Sequence, residues 1–292
     1  MFAQQLANGL FSGAVYALFA IGYTLVFGVL DILNLAHAAV YMAGALVTLS
    51  LVAAGWPIAL AFLVGIIAAG CIGVLLDRVA FAPLRRRNAG TLAPLISSIA
   101  VAIIIQSIAT GTFGIDERRF PLSALNTPPL HLGGVTFTAL DLGTLGTAIV
   151  LMLVLSYVLR ATPLGRAIRA VAEDRIAAAL LGIDIESTIA ATFFIASALG
   201  GAAGILVGME YNSVSVDMGG RIELKGLAVI ILGGMGSVTG AVIGGFILGA
   251  VETFSVAYLS SSLSDAIAFG VMFLILILRP TGIFGRKALR AA

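Results

Sequence analysis

Long apolar stretches alternate with short polar ones along almost the whole of this chain. Eight stretches are apolar enough, and close enough to twenty residues long, to cross a bilayer as helices, and each is bounded by charged residues, proline or glycine. The ten-residue alternation typical of membrane β-strands is absent. We therefore predict an all-α polytopic membrane protein. The eight segments lie near residues 6–28, 36–54, 58–76, 93–113, 143–159, 187–209, 226–251 and 265–279.

Residues 160–186 form a polar segment that is too long for a simple turn between two membrane spans. The segment contains four arginines and four acidic residues. Pro163 marks a helix start outside the apolar run, good helix formers continue to Leu181, and Gly182 can end the helix as a C-cap. We predict a cytoplasmic helix that contacts another protein. The alternative is an amphipathic helix that lies on the membrane surface without a partner.

Two places along the apolar segments contain residues that interrupt helices. The segment 226–251 carries three glycines within 233–237, and each glycine costs about 1 kcal/mol in a helix, so we predict two half-helices that enter the membrane and return. Asp31, Asn34 and His37 follow the first span. We predict that this stretch also enters and returns, and the alternative is a plain short loop. One broken element in each half is the pattern of inverted-repeat transporters, although no residue-level repeat is evident.

Basic residues are distributed unevenly along the chain. Of the 16 in total, four lie in each of three regions, namely 77–91, 160–186 and the C-terminal tail, which leaves four in 114–142 and 210–226. By the positive-inside rule, the first three regions are cytoplasmic and the other two are outside. Because we expect both broken elements to enter and return, we predict that the N-terminus and the C-terminus are both cytoplasmic.

The composition narrows the class of protein further. Hydrophobic residues make up 60% of the 292 residues and charged residues only 10%, against about 25% charged in soluble domains. We predict one transmembrane domain over 1–292, in a lipid bilayer and without a nucleic-acid partner. A single cysteine, Cys71 in an apolar run, indicates neither a disulfide nor a metal cluster. No phosphate-binding loop and no credible Ser/His/Asp set is present, so we predict no catalytic residue, no metal site and no enzyme activity.

Three segments of the chain resemble one family, the branched-chain amino acid ABC transporter permeases of the LivH type. The first signature of that family is similar to residues 9–46, GLFSGAVYALFAIGYTLVFGVLDILNLAHAAVYMAGAL. Its cytoplasmic coupling segment is similar to residues 165–183, GRAIRAVAEDRIAAALLGI. Its glycine-rich C-terminal signature is similar to residues 225–252, KGLAVIILGGMGSVTGAVIGGFILGAVE. Ala38 and Ala39 depart from the residues common in the family after the preceding histidine.

The resemblance implies a permease subunit in a bacterial inner membrane, paired with a second, similar permease. It also implies two cytoplasmic ATPase subunits that bind ATP, so this chain needs no cofactor of its own, and a periplasmic binding protein that delivers a branched-chain or related amino acid. The candidate coupling residues are Arg166, Arg169, Glu173, Asp174 and Gly182. The candidate pathway residues, expected to lie close together near the membrane midplane, are Asn34, His37, Tyr41, Gly233, Gly234, Gly236 and Ser237.

The residues alone leave two other functions open. A stand-alone secondary transporter or channel for a small polar solute needs several carboxylates at membrane depth, for which the sequence offers Asp31 and Glu252. A membrane scaffold without transport has no need of clustered helix breakers. For a permease, the ligands left open are branched-chain and aromatic amino acids, urea and amides.

Overall fold

Helices dominate the computed structural model, which describes residues 2–90, 92–121, 129–132, 135–279 and 281–285. Within this part of the chain, seven helical stretches are long and apolar enough to cross a membrane. The predicted all-α polytopic membrane fold is therefore confirmed, and a single domain over the whole chain stays a prediction. The helices are α1 (Phe2–Leu30), α2 (His37–Ala53), α3 (Ile58–Leu76), α4 (Ala82–Arg86), α5 (Leu92–Phe113), α6 (Ala139–Ala161), α7 (Pro163–Glu173), α8 (Arg175–Leu180), α9 (Ile185–Glu210), α10 (Met218–Gly233), α11 (Val238–Tyr258) and α12 (Ser264–Leu278).

Three short elements connect these helices. A π-helical turn, Asp77–Phe81, continues α3 into α4, so that the two helices form one stretch across the bundle. A 3-10 turn, Ser261–Leu263, precedes α12. The antiparallel strands β1 (Pro129–Leu132) and β2 (Val135–Thr138) form a hairpin before α6.

The polar segments gather at two opposite ends of the helix bundle. At one end, Arg85 of α4 binds Glu186 of α9 at 2.9 Å, and Arg175 of α8 donates a hydrogen bond to the carbonyl of Val29 at 2.8 Å. This end contains the basic segments and is called the inner end. At the opposite, outer end, the side chain of Gln4 hydrogen bonds with the backbone of β2.

The N-terminus lies at the outer end, so the prediction that it is cytoplasmic is wrong. Helix α1 is continuous over 29 residues, about 44 Å at 1.5 Å per residue, and it runs from Gln4 at the outer end to Val29 at the inner end. Residues 31–36 and α2 then cross back to the outer end instead of entering and returning. Near the C-terminus, Phe284 borders the same inner cavity as Arg169, which places the last described residues at the inner end.

Helix α2 begins in the middle of the bundle. The ring of His37, its first residue, lies 3.3 Å from the carbonyl oxygen of Phe19, which is 11 residues, or about 16 Å, before the end of α1. The chain turns at Asp31, whose φ is 54°, and a hydrogen bond from the His37 N–H to the Asn34 carbonyl closes the return segment. The break predicted after the first span is therefore present.

Helix α10 begins in the same way after α9. Asn212 has a φ of 45°, the N–H of Met218 donates to the carbonyl of Ser215, and Gly219 packs directly against the backbone of Ala38 in α2. The first turns of the two short helices thus meet inside the bundle. Residues 211–217 therefore correspond to residues 31–36, since each segment leads from the end of a long helix to the start of a short helix inside the bundle.

The second break is predicted at Gly233–Ser237, near the membrane midplane. The predicted depth is wrong. These residues form a turn at the inner end, where Gly236 faces Gly28 of α1. Gly234 has a φ of 98°, and the side chain of Ser237 caps α11. Helices α10 and α11 are therefore two separate elements that meet at the inner end, not two halves of one dipping segment. The N–H groups of Ile283 and Phe284 bind the carbonyls at the end of α10.

Glycines bring the central helices into backbone contact in two equivalent pairs. In the α1–α11 pair, Gly245 packs against the backbone of Ala17. In the α3–α9 pair, Gly73 packs against Ser197. Helices α1 to α3 and α9 to α11 thus repeat one design, a long helix, a mid-bundle return and a further span, with opposite directions through the bundle. The inverted repeat is visible in the structure although no sequence repeat indicates it.

Candidate functional site

A cavity of about 260 Å³ opens towards the outer end where α1, α2, α9, α10 and α11 meet. Met218, Arg221, Ile222 and Lys225 line it from one face of α10, because residues three, four and seven positions apart share a helix face. The other lining residues are Phe11, Ser12, Val15, Tyr16, Tyr41, Glu117, Thr144, Val207, Glu210, Tyr211, Ser213, Ser215 and Glu252.

An ion pair forms one wall of this outer cavity. The ammonium of Lys225 lies 2.6 Å from Glu252 and 3.2 Å from Asp265, and the hydroxyl of Tyr16 donates a 2.7 Å hydrogen bond to Glu252. Both partners of the close pair are largely buried, with 17% and 18% of their side chains exposed. Arg221, on the same face of α10, has neither an ion-pair nor a hydrogen-bond partner among the described residues.

Carboxyl groups form the opposite wall. Glu210, at the end of α9, accepts a hydrogen bond from the hydroxyl of Thr144 at 3.2 Å. Glu210 and Asp141 also border an adjoining cavity of about 380 Å³. The outer cavity therefore has a cationic side on α10 and an anionic side at the junction of α6 and α9.

A second cavity, of about 660 Å³, lies at the inner end. It is bordered by the last turns of α1, by α7, and by the turn between α10 and α11. Arg169 and Glu173, two candidate coupling residues, face it together with Gly236 and Ser237, two candidate pathway residues. A pathway turn and the polar segment therefore share one space at the inner end.

Aromatic side chains separate the two cavities. On α1, the outer cavity reaches Tyr16 and the inner cavity begins at Thr24, and Phe19 and Tyr23 lie between them. Their rings contact that of His37, with centroids 4.8 and 5.5 Å away. In this structure the space inside the subunit is therefore closed between its two ends.

The predicted pathway residues do not form one site. Asn34 is buried and accepts a hydrogen bond from the N–H of Ala36, which stabilises the return segment. His37 belongs to the aromatic barrier, and Tyr41 extends from it to the outer cavity. Gly233–Ser237 lie at the inner end. A role for each in transport stays a prediction.

The polar segment consists of two helices and not one. Helix α7 ends at Glu173, and the side chain of Asp174 caps α8 by accepting hydrogen bonds from the N–H groups of residues 176 and 177. Gly182, with a φ of 82°, ends the segment as predicted. The buried face of α7 holds Gly165, Ile168 and Val171, and Arg166 is exposed.

An exposed apolar surface lies on and after α8. The exposed fractions are 76% for Ile176, 84% for Leu180 and 80% for Leu181. This surface is not evident from the sequence pattern, because the α8 side chains fall on a new face after the break at Asp174. Three large apolar residues side by side, rimmed by charges, are typical of a protein contact.

A buried ion-pair network joins the polar segment to α3. The guanidinium of Arg85 lies 2.6 Å from Asp77 in the π-helical turn and 2.9 Å from Glu186 in α9. Only 2% of the Asp77 side chain is exposed. The sequence does not predict this network or the Lys225–Glu252 pair, because Glu186 is 101 positions from Arg85 and Glu252 is 27 positions from Lys225. Asp77 is only 8 positions from Arg85, but it comes within reach through the π-helical turn.

Known proteins resemble this chain along most of its length. Residues 5–276 match the family described as "Branched-chain amino acid transport system / permease component". The chain is 38% identical to the high-affinity branched-chain amino acid transport system permease protein LivH of Escherichia coli (strain K12), over 98% of this chain and 96% of that protein. It is 36% identical to the corresponding protein BraD of Pseudomonas aeruginosa, again over 98% of this chain and 96% of that protein.

A solved structure shares the fold at low sequence identity. PsaBC from Streptococcus pneumoniae, determined in complex with Fab, aligns with a TM-score of 0.51 over 95% of this chain and 92% of that chain, at 13% identity. A match at this identity supports the fold alone. The family match over most of the chain and the identity to LivH and BraD confirm the resemblance found in the sequence. The chain therefore belongs to the family of permease components of branched-chain amino acid transport systems.

Proposed function

We propose that this chain is the permease subunit of a binding-protein-dependent importer in a bacterial inner membrane, and that it translocates branched-chain or related amino acids. It pairs with a second, similar permease, and a periplasmic binding protein delivers the substrate at the outer end. Two cytoplasmic ATPase subunits bind and hydrolyse ATP at the inner end, so the chain itself is not an enzyme. The observation that carries the proposal is the 38% identity to LivH over 98% of the chain.

The arrangement of cavities supports transport. A cavity at each end, separated by the aromatic cluster of Phe19, Tyr23 and His37, is the arrangement expected when access alternates between the two sides. Helices α2 and α10, which start inside the bundle, can change position relative to the long helices without unfolding a continuous span.

The exposed apolar surface of α8 supports a partner at the inner end. Ile176, Leu180 and Leu181 are exposed residues of the polar segment. In the same segment, α7 packs its buried face against the helix bundle. A partner that held this surface could move α7 and the inner cavity as one body. We assign the partner as an ATPase because the family resemblance implies one.

The competing interpretation, a stand-alone ion-coupled carrier, needs carboxylates that are free to bind and release a cation. Of the two carboxylates that the sequence offers, Glu252 is held by Lys225, which disfavours its use as an ion-coupling site. Asp31 is exposed in the turn after α1 rather than enclosed inside the bundle.

Reconstitution tests the proposal. The chain, a second permease, the ATPases and the binding protein are placed in proteoliposomes, and uptake of radiolabelled leucine is measured. We expect uptake that requires both ATP and the binding protein. Uptake driven by an ion gradient without ATP would instead establish the stand-alone carrier.

The role of the α8 surface is tested with Leu180→Asp. We expect ATP-driven leucine uptake to fall about tenfold or more, because burying a leucine at an interface contributes about 1.5–3 kcal/mol. Leu92→Asp, at a leucine that is 70% exposed in the first turn of α5 at the inner end, is the matched control and should retain uptake. Pull-down of the ATPase with each variant reports assembly. Normal uptake with Leu180→Asp would show that α8 does not couple the subunits.

A further inference from the structure

We propose that the outer cavity is a transit site for a zwitterionic amino acid, with Arg221 binding the carboxylate and Glu210 binding the ammonium group. The inference deepens the proposed function, on which it rests, by locating where the substrate binds inside this subunit after delivery. The predicted pathway residues contribute only Tyr41 to this cavity.

The cationic side of the cavity has one uncompensated charge. Lys225 is neutralised by Glu252 and Asp265, at 2.6 and 3.2 Å. Arg221 is one helical turn nearer the outer end on the same face of α10, and within the described part of the chain it has no partner. A guanidinium presents a planar fork of donors that matches a carboxylate. Arg221 is therefore the group available to a substrate carboxylate.

The anionic side offers a matching position for an ammonium group. Glu210 lines the cavity, and both Glu210 and Asp141 border the adjoining cavity. Two neighbouring carboxylates repel each other when both are ionised, and a cation placed beside them relieves that repulsion. Thr144 donates to Glu210 and leaves further acceptor positions on the carboxylate open.

Apolar side chains line the rest of the cavity, where the side chain of an amino acid would lie. Val15, Val207, Met218 and Ile222 supply aliphatic surface, and Tyr41 closes the inner side against the aromatic barrier. The volume of about 260 Å³ is just below the smallest typical ligand pockets, of about 300 Å³. That size can hold a single amino acid with an aliphatic side chain.

The Lys225–Glu252 pair lines this site without offering a free charge to the substrate. Because each partner already satisfies the other, with Tyr16 as a further donor to Glu252, the pair adds polarity to the wall without adding net charge. Binding at the site therefore depends chiefly on Arg221 and Glu210, and Glu117 lines the same cavity as a further carboxyl. Such a site suits transit, since tight binding would slow release.

The site is tested by protection of an introduced thiol in the assembled importer. Ser215→Cys places a thiol in the cavity wall, in a Cys71→Ser background, and Ser213→Cys provides a second position. Ser261→Cys, exposed at the outer end away from the cavity, is the matched control. The rate of modification by a small membrane-impermeant thiol reagent is measured with excess L-leucine, with leucinol, which lacks the carboxylate, and with 4-methylpentanoate, which lacks the ammonium group.

We expect L-leucine to slow modification at position 215 under conditions where neither analogue does, and to leave position 261 unaffected. Arg221→Gln and Glu210→Gln should each raise the half-protecting leucine concentration about tenfold, the change expected when a charge-assisted hydrogen bond is lost. Arg119→Gln, an exposed arginine outside the cavity, should leave it unchanged.

Equal protection by leucine and both analogues, or unchanged protection in Arg221→Gln and Glu210→Gln, would overturn the proposed site. Leucine uptake measured in the same preparation separates the two proposals. ATP-driven uptake without protection at 213 or 215 rejects the transit site and leaves the proposed function standing. Absence of amino-acid uptake by the unmodified importer rejects the proposed function itself.

Discussion

Single glycines determine how closely α1 approaches α11. A methyl group at Gly245 would overlap the backbone of Ala17, and one at Gly13 would lie within 2.8 Å of the Phe246 Cα. Small residues at such crossings stabilise membrane helix pairs because they bring two backbones into direct van der Waals contact. These positions are therefore part of the fold, as the sequence spacing of the glycines suggests.

Gly245→Ala should destabilise the protein, although alanine is the better helix former. The added methyl forces the helices apart, and overpacking of this kind costs about 1–3 kcal/mol. Gly146→Ala in α6 is the control, since no atom lies within 4 Å of its added methyl group. Thermal unfolding of the purified chain in detergent should show a lower midpoint for Gly245→Ala only. Equal midpoints for the two variants would mean that the α1–α11 contact tolerates an extra methyl.

Individual polar residues were easier to select from the sequence than their partners. Asn34 and His37 stand out because they interrupt an apolar pattern, and both are buried. Their neighbours in space, such as Phe19, could not be predicted, since no local spacing specifies which helices touch. For the same reason Lys225 was assigned to an outside loop, whereas it lies in α10 and binds Glu252 of α11.

Three elements are held together at the inner end by one arginine. Arg85 of α4 connects the π-helical turn through Asp77 to the start of α9 through Glu186. Because Asp77 is almost fully buried, its charge depends on this guanidinium. A π-helical turn often accompanies functional positions in helices, and here it places Asp77 within reach of Arg85.

Arg85→Met should be strongly destabilising, by about 3–5 kcal/mol, because it leaves Asp77 as a buried, uncompensated charge. The double variant Asp77→Asn, Arg85→Met should recover most of that loss, since it removes the charge as well. Arg86→Met, at the exposed neighbouring arginine, is expected to be nearly neutral. Unfolding midpoints in detergent decide the comparison. A double variant no more stable than Arg85→Met alone would contradict the argument.

Breaks in elements were only partly predictable. The glycines at 233–237 signalled an interruption correctly, but local sequence does not encode its depth in the bundle. The return segment 211–217 is not evident from the sequence, because it contains neither glycine nor proline and its mixed polar and apolar residues are typical of an ordinary loop after a span. The coupling segment was predicted as one helix, since the cap at Asp174 falls among good helix formers.

At the scale of the whole molecule, the described part of the chain crosses the bundle an odd number of times, with the start of α1 at the outer end. Residues 77–91 and 160–186 are predicted to lie on the same side of the membrane. The structure agrees, because Arg85, Arg169 and Arg175 all lie at the inner end. The N-terminus could not be assigned in this way, since its first ten residues carry no charge.

Cysteine labelling tests this orientation. In a Cys71→Ser background, Ala3→Cys should react with an impermeant reagent added to intact spheroplasts, because the exposed start of α1 lies at the outer end. Ala172→Cys, exposed on α7 at the inner end, should react only after lysis. Reaction of Ala3→Cys only after lysis would reverse the assignment of the N-terminus.

The meeting of α2 and α10 inside the bundle has an electrostatic consequence. Each helix carries roughly half a positive elementary charge at its N-terminus, and Gly219 of α10 packs against Ala38 of α2, so both positive ends lie together. In a medium of low dielectric constant their combined field repels protons and metal cations. We therefore expect the subunit to remain impermeable to cations throughout the transport cycle, so that repeated opening does not dissipate the membrane potential.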